Sequence, residues 1–167
     1  MSLYKSNRKK ATSIFSKRFV SLTLVNKTST NNNNKNHDNN PNSSSILIVD
    51  DEIDILSVIR QQLQEYGFNT CCFTKPGIAL EHYKTSSNTH HIVISDLQMP
   101  TMNGFEFIRK VKEIDSNVKV FLTTCFEIGD LQVQNNSLST KSIIDEFILK
   151  PFSIEKLLIL INKHIYG

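Results

Sequence analysis

Residues Ile46 to Asp51 read Ile-Leu-Ile-Val-Asp-Asp, which is four consecutive apolar residues followed by two carboxylates. The residues just before them, Ser43 to Ser45, are all serine. A short, continuous apolar run of this kind is typical of a strand buried on both faces, as strands are in a parallel sheet. We therefore predict a buried strand at 46–49 with acidic side chains at its carboxyl end.

A helix is predicted directly after this strand, and the strand–helix unit then repeats. Between 53 and 66, apolar residues recur at steps of three and four, the spacing of one helix face, and Gly67 suits the left-handed end of a helix. Five strands alternating with helices predict an α/β fold, a doubly wound five-stranded parallel sheet with helices on both faces. The further strands are predicted at 69–73, 91–95, 118–123 and 143–149, and the further helices at about 74–83, 104–114 and 154–165.

The segment from 127 to 141 is the exception to this pattern. The alternation requires a helix there, but the segment is rich in Asn, Gln, Ser and Thr. Most of these residues have lower helix propensity than Ala or Leu. We expect a short and loosely formed helix in this segment.

Charge is distributed unevenly along the chain of 167 residues. Eight of the 19 Lys and Arg residues lie in 1–45 together with one acid, Asp38, which gives a formal net charge of +7. The remaining 11 basic and 15 acidic residues give −4 for 46–167. Residues 31–42 read NNNNKNHDNNPN, a polar tract that cannot bury enough apolar surface to offset the entropy of ordering. We predict a disordered, basic, Asn-rich arm at 1–45 and one folded domain at 46–167.

The composition of the arm is compatible with several roles. It could be a solvated tail, an organelle transit peptide, or a segment that binds nucleic acid or an anionic membrane surface. A secretory signal is not expected, because Lys17, Arg18 and Ser21 interrupt its apolar residues. No stretch approaches the ~18 apolar residues of a membrane span. Three cysteines without C-x-x-C spacing predict free thiols in a reducing, cytoplasmic compartment.

Polar side chains follow the predicted strands where these end. Asp50 and Asp51 follow the first strand, Asp96 the third and Lys150 the fifth, and Thr123 closes the fourth. Ligands of doubly wound sheets bind beyond the carboxyl ends of the strands, so we expect these groups to converge on one rim. Close carboxylates repel each other unless a cation joins them, and Mg²⁺ prefers carboxylate, water and phosphate oxygens.

This arrangement suits phosphoryl transfer to an aspartate, with a metal and a lysine to balance the charge. Taken singly, the residues have ordinary alternatives. Asp50 or Asp51 could cap the following helix, and Lys150 could be a solvated charge. The phosphoryl-transfer hypothesis depends on all of them lying at successive strand ends.

Two other pairs of residues have structural interpretations. His90 and His91 open the third strand, where we expect them to be exposed and too few for a metal site. Cys71 and Cys72 alternate across the second strand, so one of them is expected to contribute to the core.

Four motifs in this order resemble the receiver domain of two-component response regulators, in particular the stand-alone receivers typified by the bacterial chemotaxis regulator. They are Ile46–Glu52 (ILIVDDE), Val93–Gly104 (VISDLQMPTMNG), Phe121–Thr124 (FLTT) and Phe147–Phe152 (FILKPF). The resemblance covers about 46–167. It implies a flavodoxin-like (βα)5 receiver with strand order 2-1-3-4-5.

The resemblance also implies the roles of the acidic residues and the lysine. Asp96 matches the phosphoacceptor, which receives its phosphoryl group from a histidine kinase or a histidine phosphotransfer protein. Asp50 and Asp51 match the acidic pair that holds Mg²⁺, together with the Asp96 carboxylate and the backbone carbonyl of Gln98. Lys150 matches the lysine that contacts the phosphoryl oxygens.

Further positions match the family's switch. Thr123 matches the hydroxyl that hydrogen-bonds the new phosphoryl group, Phe147 matches the aromatic position that turns inward behind it, and the bond before Pro151 matches one that is usually cis. Asn103 and Thr124 depart from the commonest family pattern, which has Asp and Ala at these positions.

The function that the resemblance implies is a single-domain response regulator, a signalling switch that catalyses its own aspartyl phosphorylation and dephosphorylation. Because the sequence ends soon after the last helix, we expect no DNA-binding output domain, and output through phosphorylation-switched contacts with a downstream protein. Three alternatives are a phosphohydrolase with an aspartate nucleophile, a pseudo-receiver, and a nucleic-acid or membrane-surface binding protein that uses the receiver as a regulatory switch.

Overall fold

The computed structural model describes residues 44–86, 89–125 and 142–167. Most of the predicted arm, residues 1–43, and the predicted helix at 127–141 lie outside the described residues. The strands are β1 (Ser45–Val49), β2 (Asn69–Phe73), β3 (His90–Asp96), β4 (Lys119–Thr124) and β5 (Glu146–Leu149). The described helices are α1 (Ile53–Glu65), α2 (Pro76–Ser86), α3 (Gly104–Ile114) and α4 (Ile154–Tyr166).

The five strands form one parallel sheet in the order β2-β1-β3-β4-β5, which confirms the predicted fold and strand order. Val49 pairs with both Phe73 and Ser95, and Asp96 pairs with Thr123. The register therefore brings the carboxyl ends of neighbouring strands to one edge of the sheet.

Helices cover both faces of the sheet because strand side chains alternate between two apolar clusters. Leu47 and Val49 of β1 belong to one cluster, and Ile46 and Ile48 to the other. The first cluster contains Leu80 and Tyr83 of α2 and Phe107, Ile108 and Val111 of α3. The second contains Leu56, Ile59 and Leu63 of α1 and Leu157, Leu158 and Ile161 of α4.

The helix ends follow local signals in the sequence. Asn103 caps α3, since its side chain accepts a hydrogen bond from the Glu106 N–H at 2.9 Å, and Ser153 caps α4 in the same way. Gly67 has φ of +85°, the left-handed conformation expected just after α1.

Strand β5 begins at Glu146, so the predicted start at 143 was wrong. The Asp145 carboxylate accepts the Val120 N–H at 3.0 Å, and the Asp145 N–H donates to the Val120 carbonyl at 2.9 Å. Because this side chain takes the Val120 N–H, the ladder between β4 and β5 begins only with the pair Phe121 and Glu146. The other described elements begin within two residues of their predicted starts. Among the described residues, no helix has the length and hydropathy needed to cross a membrane.

Candidate functional site

Four of the predicted site residues meet at the carboxyl edge of the sheet. Asp50 follows β1, Asp96 ends β3, Thr123 lies at the end of β4 and Lys150 follows β5. Asp50, Asp96 and Thr123 are buried, with 3%, 7% and 3% of their surface exposed. Two carboxylates are thus largely removed from water, and such groups require a compensating charge.

Lys150 supplies that charge. Its Nζ lies 2.8 Å from Oδ2 of Asp50 and 2.6 Å from Oδ1 of Asp96, and only 13% of its side chain is exposed. Burial lowers the pKa of Lys150, but hydrogen bonds and charge attraction from both carboxylates outweigh it, so the pKa is raised above its usual value. Lys150 is therefore a bridging cation between two carboxylates, which excludes the alternative of a solvated strand-end charge.

The two oxygens of Asp96 have different partners. Oδ1 contacts Lys150 and lies 3.3 Å from the Thr123 hydroxyl, which also lies 3.4 Å from the Ser95 carbonyl. Oδ2 accepts the Gln98 N–H at 2.9 Å. The carboxylate is held in a fixed orientation, with an ammonium group and a hydroxyl beside the same oxygen.

The backbone donors at the rim are part of the site that sequence reasoning missed. Asp50 accepts the Glu52 N–H at 3.0 Å, just as Asp96 accepts the N–H of Gln98. In each case the aspartate side chain accepts a hydrogen bond from the backbone N–H two residues further on. Asp favours turns of this kind. Glu52 occupies the N-cap position of α1, so neither Asp50 nor Asp51 caps that helix.

The side chains of Asp51 and Gln98 are exposed beside these turns. Carboxylate and carbonyl oxygens are the donors that Mg²⁺ prefers, and the rim already accommodates one cation, the Lys150 ammonium, between two carboxylates. The chemistry of the donor set therefore fits Mg²⁺.

Phe147 lies on β5 beside the rim. It is partly buried and packs against the cluster that contains α2 and α3. Leu122 pairs with Phe147 and Thr123 with Ile148, so the predicted switch pair occupies adjacent rungs of neighbouring strands. The peptide bond between Lys150 and Pro151 is cis, as the resemblance implied.

Gly104 is a second feature that sequence reasoning did not single out. Its N–H donates to the Leu97 carbonyl at 2.9 Å and closes the loop after β3. A Cβ at this position would clash with the Asp96 carbonyl oxygen and would lie 2.7 Å from Cδ1 of Leu122. Only glycine lets α3 approach Asp96 this closely without displacing its neighbours.

A doubly wound parallel sheet with two buried aspartates, a threonine and a lysine at its carboxyl edge is the arrangement expected of a receiver domain. The family described as the response regulator receiver domain matches residues 46–162. The chemotaxis protein CheY of Bacillus subtilis (strain 168) is 30% identical over 119 residues, which are 71% of this chain and 94% of that protein. The chain therefore belongs to the response regulator receiver domain family.

Other similar proteins include a longer regulator and two solved structures. The C4-dicarboxylate transport transcriptional regulatory protein DctD of Rhizobium meliloti (strain 1021) is 30% identical over 112 residues, 67% of this chain but 23% of that protein. The crystal structure of a receiver domain protein from Clostridium thermocellum has a TM-score of 0.66 and 28% identity, covering 73% of this chain and 94% of the other. The response regulator TrrA of Thermotoga maritima, solved in complex with Mg²⁺ and BeF, has a TM-score of 0.62 and 26% identity, with 73% and 99% coverage.

Membership of this family establishes a general role. Receiver domains are signalling switches of two-component phosphorelays and interact with histidine kinases. They generally bind Mg²⁺ at the phosphorylation site.

Proposed function

We propose that this chain is a single-domain response regulator that accepts a phosphoryl group on Asp96 and signals through contacts with another protein. The observation that carries the proposal is the Lys150 ammonium, 2.6 Å from Oδ1 of Asp96, with the Thr123 hydroxyl 3.3 Å from the same oxygen. A buried carboxylate with a cation and a hydroxyl at one oxygen has the donors that a phosphoryl group at that position requires.

In the proposed reaction, a carboxylate oxygen of Asp96 attacks the phosphorus of a phosphohistidine donor. The new O–P bond forms as the P–N bond breaks, and the donor imidazole leaves with that electron pair and takes a proton from solvent. Lys150 stabilises negative charge on the transferred phosphoryl oxygens. Mg²⁺, held by Asp50, Asp51, Asp96 and the backbone carbonyl of Gln98, would supply the remaining positive charge.

The proposed switch uses Thr123 and Phe147. A phosphoryl group on Asp96 adds negative charge and acceptor oxygens next to the Thr123 hydroxyl. When that hydroxyl moves toward the phosphoryl group, space opens beside β5, where Phe147 is only partly buried. Inward movement of this ring would change the surface of β5 and thereby the contacts available to a partner.

A histidine kinase or a histidine phosphotransfer protein is the proposed donor, and a separate protein is the proposed target. The extent of the similarity to CheY, 94% of that protein, supports stand-alone signalling. The described thiols of Cys71, Cys72 and Cys125 are free, which supports a reducing, cytoplasmic setting.

A second candidate function is binding to nucleic acid or an anionic membrane surface by the arm at 1–45, with the receiver as its regulator. The formal charge of +7 on this segment favours it. A peptide of residues 1–45 would then bind nucleic acid or anionic vesicles with an affinity that falls steeply as salt rises. Salt-independent or undetectable binding would exclude this function.

The proposed function is tested by the rate of phosphoryl transfer from a phosphohistidine protein, measured with and without Mg²⁺. The wild-type chain should be labelled faster with Mg²⁺, and Asp51→Ala should lose this dependence. Asp54→Ala is a matched control, since Asp54 is an exposed acid in the first turn of α1, and it should respond to Mg²⁺ as the wild type does. An Asp51→Ala response equal to that of the wild type would contradict the metal assignment.

A further inference from the structure

Cys71, His82 and His90 come together from three different elements, β2, α2 and β3. The cysteine sulfur and one ring nitrogen of each histidine all lie within 4.8 Å of one another. Nε2 of His82 and Nε2 of His90 are 3.3 Å apart. The prediction that His90 is exposed was wrong, because only 6% of its surface is accessible. The proximity of Cys71 and His82 to His90 could not be predicted from the sequence, because these residues lie on elements that become neighbours only in the folded chain.

The spacing of these atoms fits a single tetrahedral metal ion. Two imidazole nitrogens bound to one Zn²⁺ at about 2.0–2.1 Å lie roughly 3.3–3.4 Å apart, which matches the observed spacing. A thiolate sulfur at about 2.3 Å from the same ion lies roughly 3.6 Å from each nitrogen. This distance lies within the 4.8 Å that encloses the three ligand atoms. A hydrogen bond between the two rings would explain the histidine pair alone, but it gives no role to the adjacent sulfur.

The His90 ring is held with one nitrogen toward the cluster. Its Nδ1 lies 3.0 Å from the Ser45 hydroxyl, and the register of β1 and β3 pairs these two residues. A neutral ring that donates its proton from Nδ1 has its lone pair on Nε2. In metal-binding histidines, the hydrogen bond at the other ring nitrogen fixes such a tautomer.

The surroundings of the cluster restrict the movement of both rings. The Tyr83 ring stacks on His90 with centroids 5.9 Å apart, and the Phe73 ring lies 5.0 Å from that of His82. The Ser86 hydroxyl donates to the His82 carbonyl at 2.7 Å and lies 3.4 Å from Nε2 of His90. A metal ion would therefore bind between side chains whose orientations are already largely fixed.

We propose that Cys71, His82 and His90 bind one Zn²⁺ ion, with a water molecule as the fourth ligand. Thiolate and imidazole ligands select Zn²⁺ over Mg²⁺, whereas carboxylates select Mg²⁺. His90 opens the seven-residue strand β3 and Asp96 closes it. At about 3.3 Å per residue, the two ends of this strand are roughly 20 Å apart. The zinc site is therefore separate from the phosphorylation rim.

The proposed site would join α2 to β2 and β3. Binding of a ligand to the folded state alone stabilises it by mass action. We expect Zn²⁺ to raise the melting temperature of the full chain, and we expect no such effect when a ligand residue is replaced.

The test uses Co²⁺ as a spectroscopic probe of the reduced full-length chain, with excess Mg²⁺ present to saturate the acidic rim. One Co²⁺ per chain should give the intense visible bands of a four-coordinate ion and a thiolate-to-metal charge-transfer band. Zn²⁺ should displace it and Mg²⁺ should not. Cys71→Ser should remove the charge-transfer band, and His82→Ala should change its shape. Each substitution should also weaken Co²⁺ binding at least about tenfold, since even partners outside the first coordination sphere have effects of this size.

The matched controls are the neighbouring residues that point elsewhere. Cys72→Ser and His91→Ala should retain both the spectrum and the thermal stabilisation by Zn²⁺. Circular dichroism of each variant without metal separates loss of a ligand from loss of the fold, and His82, which is less buried than His90, gives the safer histidine variant. The proposal is overturned by a wild-type chain without a thiolate band, by a band that survives in Cys71→Ser, or by equal losses in Cys71→Ser and Cys72→Ser.

Discussion

Nζ of Lys150 lies 2.8 Å from Oδ2 of Asp50, a residue 100 positions earlier in the chain. The same ammonium group contacts Asp96. Lys150, which follows β5, thus balances the charge of two carboxylates at the ends of β1 and β3. The rim holds positive charge between buried carboxylates, and a transferred phosphoryl group requires positive charge at the same place.

Replacing the lysine should destabilise the fold by removing this compensation. Lys150→Met leaves the Asp50 and Asp96 carboxylates buried without a cation, and we expect the free energy of unfolding to fall by about 3 kcal/mol in urea titrations without Mg²⁺. Added Mg²⁺ should recover part of the loss. Lys156→Met, which removes the same charge from an exposed position of α4, should change stability by less than about 0.5 kcal/mol. Equal effects of the two substitutions would contradict the bridging role.

Two glycines on the same face of the sheet should respond in opposite ways to alanine. Gly104→Ala forces a Cβ against the Asp96 carbonyl and Leu122, and we expect a loss of about 1–3 kcal/mol from such overpacking. Gly77→Ala places its Cβ in open space within α2 and should be neutral or stabilise by up to about 1 kcal/mol. Thermal unfolding measures both, and a neutral Gly104→Ala would show that the loop after β3 tolerates displacement.

Asp145 should make part of the stability depend on pH. Burial raises the pKa of its carboxyl group. The hydrogen bond from the Val120 N–H and the Lys119 and Lys112 ammonium groups lower this pKa by more, so the net shift is downward. A carboxyl with a lowered pKa in the folded state contributes stability above its unfolded pKa of about 3.9, and loses it as pH falls through the folded value. Asp145→Asn should therefore cost about 1–2 kcal/mol in urea unfolding near pH 7, with a smaller difference near pH 3. A difference independent of pH would exclude the charge interactions as its cause.

Thr123 should transmit the state of Asp96 to β5. In the wild type, addition of Mg²⁺ and beryllofluoride, a stable mimic of the phosphoryl group, should shift NMR signals at Asp96, at Phe147 and along β5. In Thr123→Ala the shifts should stay at the rim, because the hydroxyl that lies 3.3 Å from Asp96 is missing. Thr124→Ala restores the commoner family residue and should behave as the wild type. Shifts that reach Phe147 equally in Thr123→Ala would contradict the coupling.

The carboxyl ends of the strands could be predicted because two simple patterns specify this fold. Continuous apolar runs indicate the strands, and apolar residues at steps of three and four indicate the helices between them. A buried run such as 46–49 must be a central strand, and parallel topology then places Asp50 and Asp96 at the same edge. The start of β5 could not be predicted in this way. Ile143 and Ile144 continue the apolar pattern, but the Asp145 side chain replaces a backbone partner of Val120, and such competition leaves no periodic signal.

Features that depend on packing across elements were also beyond the sequence pattern. The burial of His90 depends on Tyr83 of α2 and Ser45 of β1, and its contact with His82 depends on how α2 lies on the sheet. The backbone donors to Asp50 and Asp96 depend on turn conformations that many sequences adopt. Such contacts are set only when the chain folds.

The central claim is that Asp96 is the phosphoacceptor, and peptide mapping by mass spectrometry tests it most directly. The full-length chain, incubated with Mg²⁺ and a small phosphodonor such as acetyl phosphate, should gain one phosphoryl group on the peptide that contains Asp96. Asp96→Asn should gain none, and Asp54→Asn, a substitution of an exposed acid in α1, should be labelled like the wild type. Asp96→Asn that is labelled as fully as the wild type, with the phosphoryl group on another residue, would contradict the account.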